Sequence, residues 1–284
     1  MPPIAILLVV LAAGCHTTWN LLLKRDTERL TTQAGALASA VVLASPVLAL
    51  YSPAGLPASA WALVAASALF ETGYVFALSG AYGAGDLSLV YPVARGSATL
   101  LVVPLAVAVL GERPSPSGLL GIGLVLVGVF GSDAALLRRA PQDAGRRRAL
   151  GLALLTGSTT AGYSLVNKVG VGLVAVPLYA YLVFTLNVLL VYLIIGARHR
   201  RLPLPRWPGW PCTALMGILM VTAYMAVLGA MSLAPVSYVV AAREVGVVIA
   251  ALLGVVVLRE PHSFRRVAAA IVIFAGLVTI ALSR

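Results

Sequence analysis

Two arginines stand inside long apolar segments of this chain, and an internal repeat relates them. Arg95 lies in LSLVYPVARGSATLLVVPLAVAVLGE (87–112), and Arg243 lies 148 residues further on, in PVSYVVAAREVGVVIAALLGVVVLRE (235–260). A charge at membrane depth costs about 2.5–3.5 kcal/mol on insertion scales, so it is rarely kept there without a function. Because the guanidinium fork suits a carboxylate or a phosphonate, the matched pair predicts a central polar site for an anionic group.

Further polar and aromatic residues fall inside the apolar segments. Glu71 stands near the middle of one of them and is a candidate both for binding a cationic group and for carrying a proton. Glu244 follows Arg243 directly and is the second candidate for proton coupling. We predict that six more side chains complete the substrate site, namely His16, Trp19, Asn20, Tyr74, Tyr163 and Tyr224.

Each candidate also has a structural interpretation. The arginines can form a buried network of ion pairs, for example Arg95 with Glu71, or Arg243 with Glu244 across helices. The polar residues of the first segment can simply join neighbouring helices by hydrogen bonds. Aromatic faces, by contrast, suit an ammonium group, which keeps a cationic substrate open.

Four charged residues at the ends of apolar segments are expected to have structural roles. Lys24 and Lys168 occupy matching positions of the repeat and can reach the membrane surface along their aliphatic stems. Glu112 and Glu260 also match, and we expect them to cap the loops at helix ends.

Composition places these residues in a membrane protein. Hydrophobic residues make up 61% of the chain and charged residues 10%, and the mean hydropathy is +1.00. A soluble protein carries about 25% charged residues. A helix needs about 20 residues to span a bilayer. Ten apolar segments approach or exceed that length, at about 4–23, 33–51, 58–80, 87–110, 115–133, 149–171, 175–196, 208–232, 236–258 and 264–283.

The repeat extends beyond the arginines. TWNLLLK (18–24) corresponds to GYSLVNK (162–168), and TGY (72–74) corresponds to TAY (222–224). Five segments per half is an odd number, so the second half must enter the membrane in the opposite orientation, which places a substrate site near the midplane. We therefore predict an all-α membrane protein of ten helices in two inverted five-helix repeats, with the first repeat in 1–137, a basic cytoplasmic linker in 138–148 and the second repeat in 149–284.

The distribution of positive charge predicts an orientation and excludes a nucleic-acid partner. The net charge is +11, but fifteen of the twenty Lys and Arg residues lie in the odd-numbered connections rather than on one folded face. The positive-inside rule then places these connections in the cytoplasm and both chain termini outside a bacterial cytoplasmic membrane.

Motifs of enzymes are absent from the sequence. GAYGAGD (80–86) is rich in glycine, but it has no GK[ST], and the chain contains no HExxH and no GxSxG. Its two cysteines form no CxxC pair. We expect no catalytic residues, no bound metal and no cofactor, so that any transport runs on an ion or substrate gradient.

Several strings resemble a known family over nearly the whole chain. The endings LGE (110–112) and LRE (258–260) are similar to those of the EamA family of the drug/metabolite transporter superfamily, and HTTWNLLLKR, DLSLVYPVARG and AAREVG resemble one bacterial branch of it. The resemblance implies a ten-helix transporter; relatives carry amino acids, choline-like cations, nucleotide sugars and other small metabolites. Many relatives are expected to keep both termini in the cytoplasm, which is the reverse of the orientation that the charges predict here.

These observations predict a secondary active transporter of a small zwitterionic or anionic metabolite, similar to an amino acid or an aminophosphonate. It would work by alternating access, with proton coupling or exchange. The alternatives are a transporter of a quaternary-ammonium or other cationic metabolite or drug and, from other classes, a non-transporting membrane scaffold or an intramembrane enzyme. The expected partners are the small metabolite and the lipid bilayer, and the expected state is a monomer or a homodimer.

Overall fold

The computed structural model describes residues 1–24, 28–85, 87–131, 144–199, 210–249 and 264–283. Within these ranges the regular elements are helices, which confirms the predicted all-helical class for this part of the chain. They are α1 (Pro3–Lys24), α2 (Arg29–Ala44), α3 (Val47–Leu50), α4 (Ala58–Ala84), α5 (Leu87–Leu110), α6 (Pro116–Gly131), α7 (Ala144–Gly170), α8 (Val176–His199), α9 (Trp210–Leu233), α10 (Val236–Ala242) and α11 (Phe264–Leu282).

The helices have the length and surface of membrane spans. In the described ranges, seven spans are long and apolar enough to cross a membrane: α1, α2 together with α3, α4, α5, α7, α8 and α9. Two further apolar stretches are shorter, α6 and residues 267–282 of α11. Large apolar side chains such as Leu7, Leu50 and Leu282 are exposed, as side chains in contact with lipid are. The chain is a multi-pass membrane protein.

The ends of most helices agree with the predicted segments to within a few residues, and α5 matches 87–110 at both ends. α2 begins at Arg29, four residues earlier than predicted, and its span is interrupted at Pro46, which has no backbone N–H to continue the helix. α7 begins at Ala144, so the last five residues of the predicted linker are helical. The first part of that linker, 138–143, lies outside the described residues.

The prediction of one continuous helix over 236–258 is wrong. α10 ends at Ala242, and the chain turns at Arg243 and Glu244 before residues 245–249 are helical again. The backbone tightens here to i→i−3 hydrogen bonds: the N–H of Glu244 donates to the carbonyl of Ala241, and the N–H of Gly246 donates to that of Arg243. A tight turn within a helix often marks a functional site. Residues 250–258 lie outside the described part.

Helices from the two parts of the chain interleave. α7 packs along α4 and α5, α9 along α1 and α2, α8 along α4 and α2, and α6 along α11. The α6–α11 contact is very close: a Cβ atom added to Gly121 would lie 2.8 Å from the carbonyl oxygen of Gly276, and one added to Gly276 would lie 2.7 Å from that of Gly121. Only glycine lets two helix backbones approach to this extent.

Glu112, in the connection after α5, caps the first turn of α10. Its carboxylate accepts hydrogen bonds from the backbone N–H groups of Val236 (2.6 Å) and Ser237 (3.1 Å) and from the Ser237 hydroxyl (2.6 Å). The first N–H groups of a helix have no partner within the helix, and a negative charge there is favoured by the helix dipole. The expected capping role of Glu112 is confirmed; Glu260, its counterpart in the repeat, lies outside the described residues.

Lys168, near the end of α7, binds the end of α9, just before the first turn of α10 that Glu112 caps. Its ammonium group donates to the carbonyl oxygens of Met231 (2.6 Å) and Ala234 (2.9 Å), at the C-terminal end of α9. These carbonyls have no partner in their own helix, and a cation there complements the helix dipole. The expected structural role of Lys168 is confirmed; the side chain of Lys24 lies outside the described part of the chain.

Candidate functional site

A cavity of about 50 Å³ lies between α1, α2, α4, α7, α8, α9 and the turn that follows α10. Seven of the ten predicted site residues line it, namely His16, Trp19, Glu71, Tyr74, Tyr163, Tyr224 and Arg243. The other lining residues are Gln33, Leu37, Val75, Asn167, Phe184, Met220, Ala223 and Val227. Such a mixture of apolar and polar side chains is typical of sites for small molecules.

Arg243 reaches the cavity from the turn after α10. The residue is 7% exposed. It caps the C-terminal end of α10, and its backbone angles are still helical. Within the described residues, no carboxylate lies at ion-pair distance from its guanidinium group. Its positive charge acts on the Glu71 carboxyl and on the Tyr163 hydroxyl, both of which line the same cavity. Arg243 is therefore a buried cation that faces the cavity and is available to an anionic ligand.

Arg95, the counterpart of Arg243 in the repeat, is in a different position. Its guanidinium pairs with Glu244 through two contacts, NH2–Oε1 at 3.2 Å and Nε–Oε2 at 3.4 Å, and it also donates to the carbonyl oxygen of Arg243 at 3.3 Å. Neither Arg95 nor Glu244 lines the cavity. Arg95 thus forms a buried ion pair, as in the structural interpretation of the sequence, but its partner is Glu244 instead of Glu71.

Glu71 lies about half-way along α4, and its side chain reaches the wall of the cavity. Its Oε1 atom is buried and has no hydrogen-bond partner within the described ranges. A buried carboxylate oxygen without a partner is costly, because the lost hydration is not replaced. Glu71 therefore brings to the cavity wall a carboxyl group with one oxygen that has no partner among the described residues.

Two pairs of aromatic rings form part of the cavity wall. His16 and Trp19, one turn apart on α1, have ring centroids 4.9 Å apart in an edge-to-face arrangement. Tyr74 on α4 and Tyr163 on α7 are arranged in the same way, with centroids 6.1 Å apart. Edge-to-face pairs are favourable and hold the rings in defined orientations. Ring faces of this kind attract ammonium groups.

Asn20 does not line the cavity, although its spacing on α1 suggested that it would. Its amide group donates to the backbone carbonyl of His16 at 2.9 Å, and its Oδ1 accepts from the Tyr82 hydroxyl at 3.2 Å. Asn20 thus joins α1 to α4, which is the structural alternative for this residue.

Tyr224 lines the cavity, but its hydroxyl group is already engaged. The amide of Asn167 donates to it at 2.9 Å, and the Ser67 hydroxyl lies 3.4 Å from it and donates to Asn167 Oδ1 at 2.6 Å. Its ring packs against Phe184 with centroids 4.9 Å apart. Tyr224 therefore offers its ring to a ligand, while Asn167 fixes the orientation of that ring.

Gln33 is a lining residue that the sequence did not single out. It is the first residue of the predicted segment 33–51, so the prediction placed it at the end of a membrane span. Because α2 starts one turn earlier, at Arg29, Gln33 lies inside the helix and is fully buried. An amide side chain next to a long apolar segment is the sequence signal that could have identified it.

The cavity thus combines a cation, an anion and aromatic rings. Arg243 can hold a carboxylate or a phosphonate, whereas Glu71 and the rings can hold an ammonium group. In the described part of the chain, no group of three His, Cys, Asp or Glu residues has the arrangement of a metal site.

One of three comparisons with known proteins suggests a membrane transporter. The family model of the EamA-like transporter family matches residues 147–282. A crystal structure of another protein aligns with this chain with a TM-score of 0.76 and 19% sequence identity, over 98% of each chain, and this likeness shows the fold alone. No curated protein gives a significant match.

Proposed function

We propose that the chain is a secondary active transporter of a small zwitterionic or anionic metabolite, and our premise is the match of residues 147–282 to the model of the EamA-like transporter family. The observation that carries the proposal is the cavity that both Arg243 and Glu71 line. Among the described residues, the guanidinium of Arg243 has no ion-pair partner and Glu71 Oε1 has no hydrogen-bond partner. Amino acids and aminophosphonates have the matching groups, an anion and an ammonium on one small molecule.

Each group has its own place in this proposal. The guanidinium of Arg243 holds the carboxylate or phosphonate by two parallel hydrogen bonds, a geometry that lysine does not reproduce. Glu71 and the edge-to-face pair of Tyr74 and Tyr163 hold the ammonium group. Arg95 and Glu244 neutralise each other, so they position the turn that carries Arg243 rather than bind the substrate directly.

The proposed architecture is ten spans in two inverted five-helix repeats, over 1–137 and 149–284, joined by the basic segment between them. Two observations support it. If each helix is replaced by its counterpart in the other repeat, the contact between α4 and α7 becomes the contact between α9 and α1. In the same way, the contact between α4 and α8 becomes the contact between α9 and α2. All four contacts are present. The ammonium group of Met1 donates to the carbonyl of Ala281 at 3.0 Å, so that the two ends of the chain meet at one face of the bundle, as an even number of spans requires.

Proton coupling is assigned to Glu71 in preference to Glu244. A carrier must be able to gain and lose its proton as the cavity is exposed to either side. Glu71 lines the cavity, and its Oε1 has no partner within the described residues, whereas Glu244 is 1% exposed and held by Arg95. Exchange of one substrate for another remains the alternative mode of alternating access.

The proposed location is a bacterial cytoplasmic membrane, with both chain termini outside and the basic connections in the cytoplasm. The small metabolite and the lipid bilayer are the proposed partners, and a monomer or a homodimer is the proposed state.

A second candidate substrate class is favoured by one specific observation, the aromatic wall. A quaternary-ammonium compound has no hydrogen to donate, so it is bound by ring faces rather than by hydrogen bonds. His16, Trp19, Tyr74 and Tyr163 offer such faces together with the negative charge of Glu71. In this case Arg243 would have no anionic partner on the substrate, which separates the two candidates.

Uptake by the purified protein in sealed liposomes tests the proposal, with a panel of L-amino acids, 2-aminoethylphosphonate and choline as probes. We expect uptake of at least one zwitterion and a loss of about tenfold or more in Arg243→Lys, since the bidentate contact is lost. The matched control is Arg113→Lys, an exposed arginine in the connection after α5, which should transport normally. Choline uptake that is unaffected by Arg243→Lys would favour the second candidate, and no uptake of any probe would contradict both.

A further inference from the structure

The fully buried amide of Gln33 on α2, a residue that lines the cavity, is hydrogen-bonded at one end and has no partner at the other end within the described residues. The Ser79 hydroxyl on α4 donates to Gln33 Oε1 at 2.9 Å. Gln33 Nε2 has no hydrogen-bond partner among the residues that the structure describes, and Gln33 lines the cavity.

In this structure the hydrogen bond from Ser79 occupies the oxygen end of the amide. Because the carbonyl oxygen of Gln33 accepts from Ser79, the NH2 group is the end that remains, and it can only donate. A buried donor without an acceptor is unfavourable, so a ligand that supplies an acceptor there gains more than an exposed hydrogen bond would give. The free group is thus a selective feature of the site and not a neutral part of its wall.

The residue that holds Gln33 lies about two turns of α4 beyond Glu71. Ser79 follows Glu71 by eight residues, which is about 12 Å along the axis of α4. Tyr74 and Val75, between these two levels, both line the cavity. The wall therefore continues along α4 from Glu71 towards the level at which Ser79 holds Gln33.

We infer that Gln33 is a specificity-determining residue whose side-chain N–H donates to a hydrogen-bond acceptor on the tail of the substrate, remote from the head group that Arg243 and Glu71 hold. The acceptor is a carbonyl, carboxylate or ether oxygen. The inference rests on the proposed function and narrows it: a zwitterion with an acceptor on its tail is preferred over one with an aliphatic tail.

Two probes of similar size test the inference, L-glutamine with an acceptor on its tail and L-leucine without one. We expect the wild-type protein in liposomes to bind glutamine about tenfold more tightly than leucine. Gln33→Met keeps the length of the side chain and removes the donor, so it should weaken glutamine binding about tenfold and leave leucine binding unchanged. Ser79→Ala releases the carbonyl end of the amide and should cause a smaller loss for glutamine alone.

Ser39→Ala is the matched control. Ser39 is buried on the same helix, and its hydroxyl donates to the carbonyl of Gly35 in that helix at 2.9 Å. This variant should bind both probes as the wild type does. If Gln33→Met does not accumulate as folded protein, Gln33→Asn keeps the amide but draws it back by one methylene group, and it should also weaken glutamine more than leucine.

Equal losses for glutamine and leucine in the Gln33 variants would overturn the inference, because a residue with only a structural role affects both probes alike. Failure of the proposed zwitterionic substrate is a separate result: the wild type would bind choline and neither amino acid. The comparison is then made with acetylcholine and butyltrimethylammonium, of which only the first has acceptor oxygens on its tail. Selective weakening of acetylcholine by Gln33→Met would support the role of Gln33, and equal affinities would overturn it.

Discussion

Removal of one partner of the Arg95–Glu244 ion pair should destabilise the protein strongly, whereas removal of both should not. Glu244 is 1% exposed and the Arg95 side chain 11%, so neither charge can be hydrated well if the other is lost. Breaking a buried pair in this way costs about 3–5 kcal/mol in the free energy of unfolding. We expect this loss in both Arg95→Met and Glu244→Met.

The double variant should recover most of this loss. Replacing a whole buried ion pair by apolar side chains is often neutral or stabilising. The double variant still lacks the hydrogen bond from Arg95 to the carbonyl of Arg243, which is worth about 1 kcal/mol. The double variant should therefore lie within about 1–2 kcal/mol of the wild type, and the coupling between the two positions should be about 3 kcal/mol or more.

Denaturant unfolding in detergent micelles, followed by tryptophan fluorescence, measures these differences. Arg243→Met is the matched control, since it is the same substitution at the related position of the repeat, where no ion pair is present among the described residues. It should cost clearly less stability than Arg95→Met. If the losses of the two single variants simply add in the double variant, the two charges do not stabilise each other and the reasoning is refuted.

Three further predictions concern coupling, capping and orientation. Glu71→Gln keeps the shape of the side chain and removes its titrating proton, so uptake driven by a pH gradient should be lost while substrate exchange and the melting temperature are retained; normal proton-driven uptake would exclude Glu71 as the carrier. Glu112→Gln removes the charge that caps α10 and should lower the free energy of unfolding by about 1–2 kcal/mol, with a smaller effect for Ser237→Ala, and an unchanged stability would contradict the capping argument. A reporter active only in the cytoplasm and fused after residue 284 should give no signal. Fifteen of the twenty Lys and Arg residues lie in the odd-numbered connections, at the opposite face of the membrane from the chain termini, and the positive-inside rule places that face in the cytoplasm.

The spans could be predicted because an apolar segment of about 20 residues has few alternatives. The turn at Arg243 and Glu244 could not, since no proline or glycine stands at these two positions. It accompanies contacts with another helix: Arg95 binds both the Glu244 carboxylate and the Arg243 carbonyl. Partners that are distant in sequence leave no local signal.

Seven of the ten residues predicted for the site line the cavity, but the pairing of the charges was not predicted. The repeat suggested equal roles for the two arginines. However, the residue that corresponds to Glu244 in the first half is Gly96, which has no side chain to pair with Arg243. This difference leaves one arginine paired and the other facing the cavity. It could have been read from the sequence only by comparing the neighbours of the arginines as well as the arginines themselves.

The contact between Gly121 and Gly276 limits which helices can move. With backbone atoms this close, α6 and α11 cannot approach further, and a rotation of either helix about its own axis would bring larger side chains into the contact. The pair is thus suited to remain a fixed support through a transport cycle. The rearrangement that opens the cavity to one side and then to the other would then have to take place in the helices that line it, and cross-links between α6 and α11 should leave it free to occur.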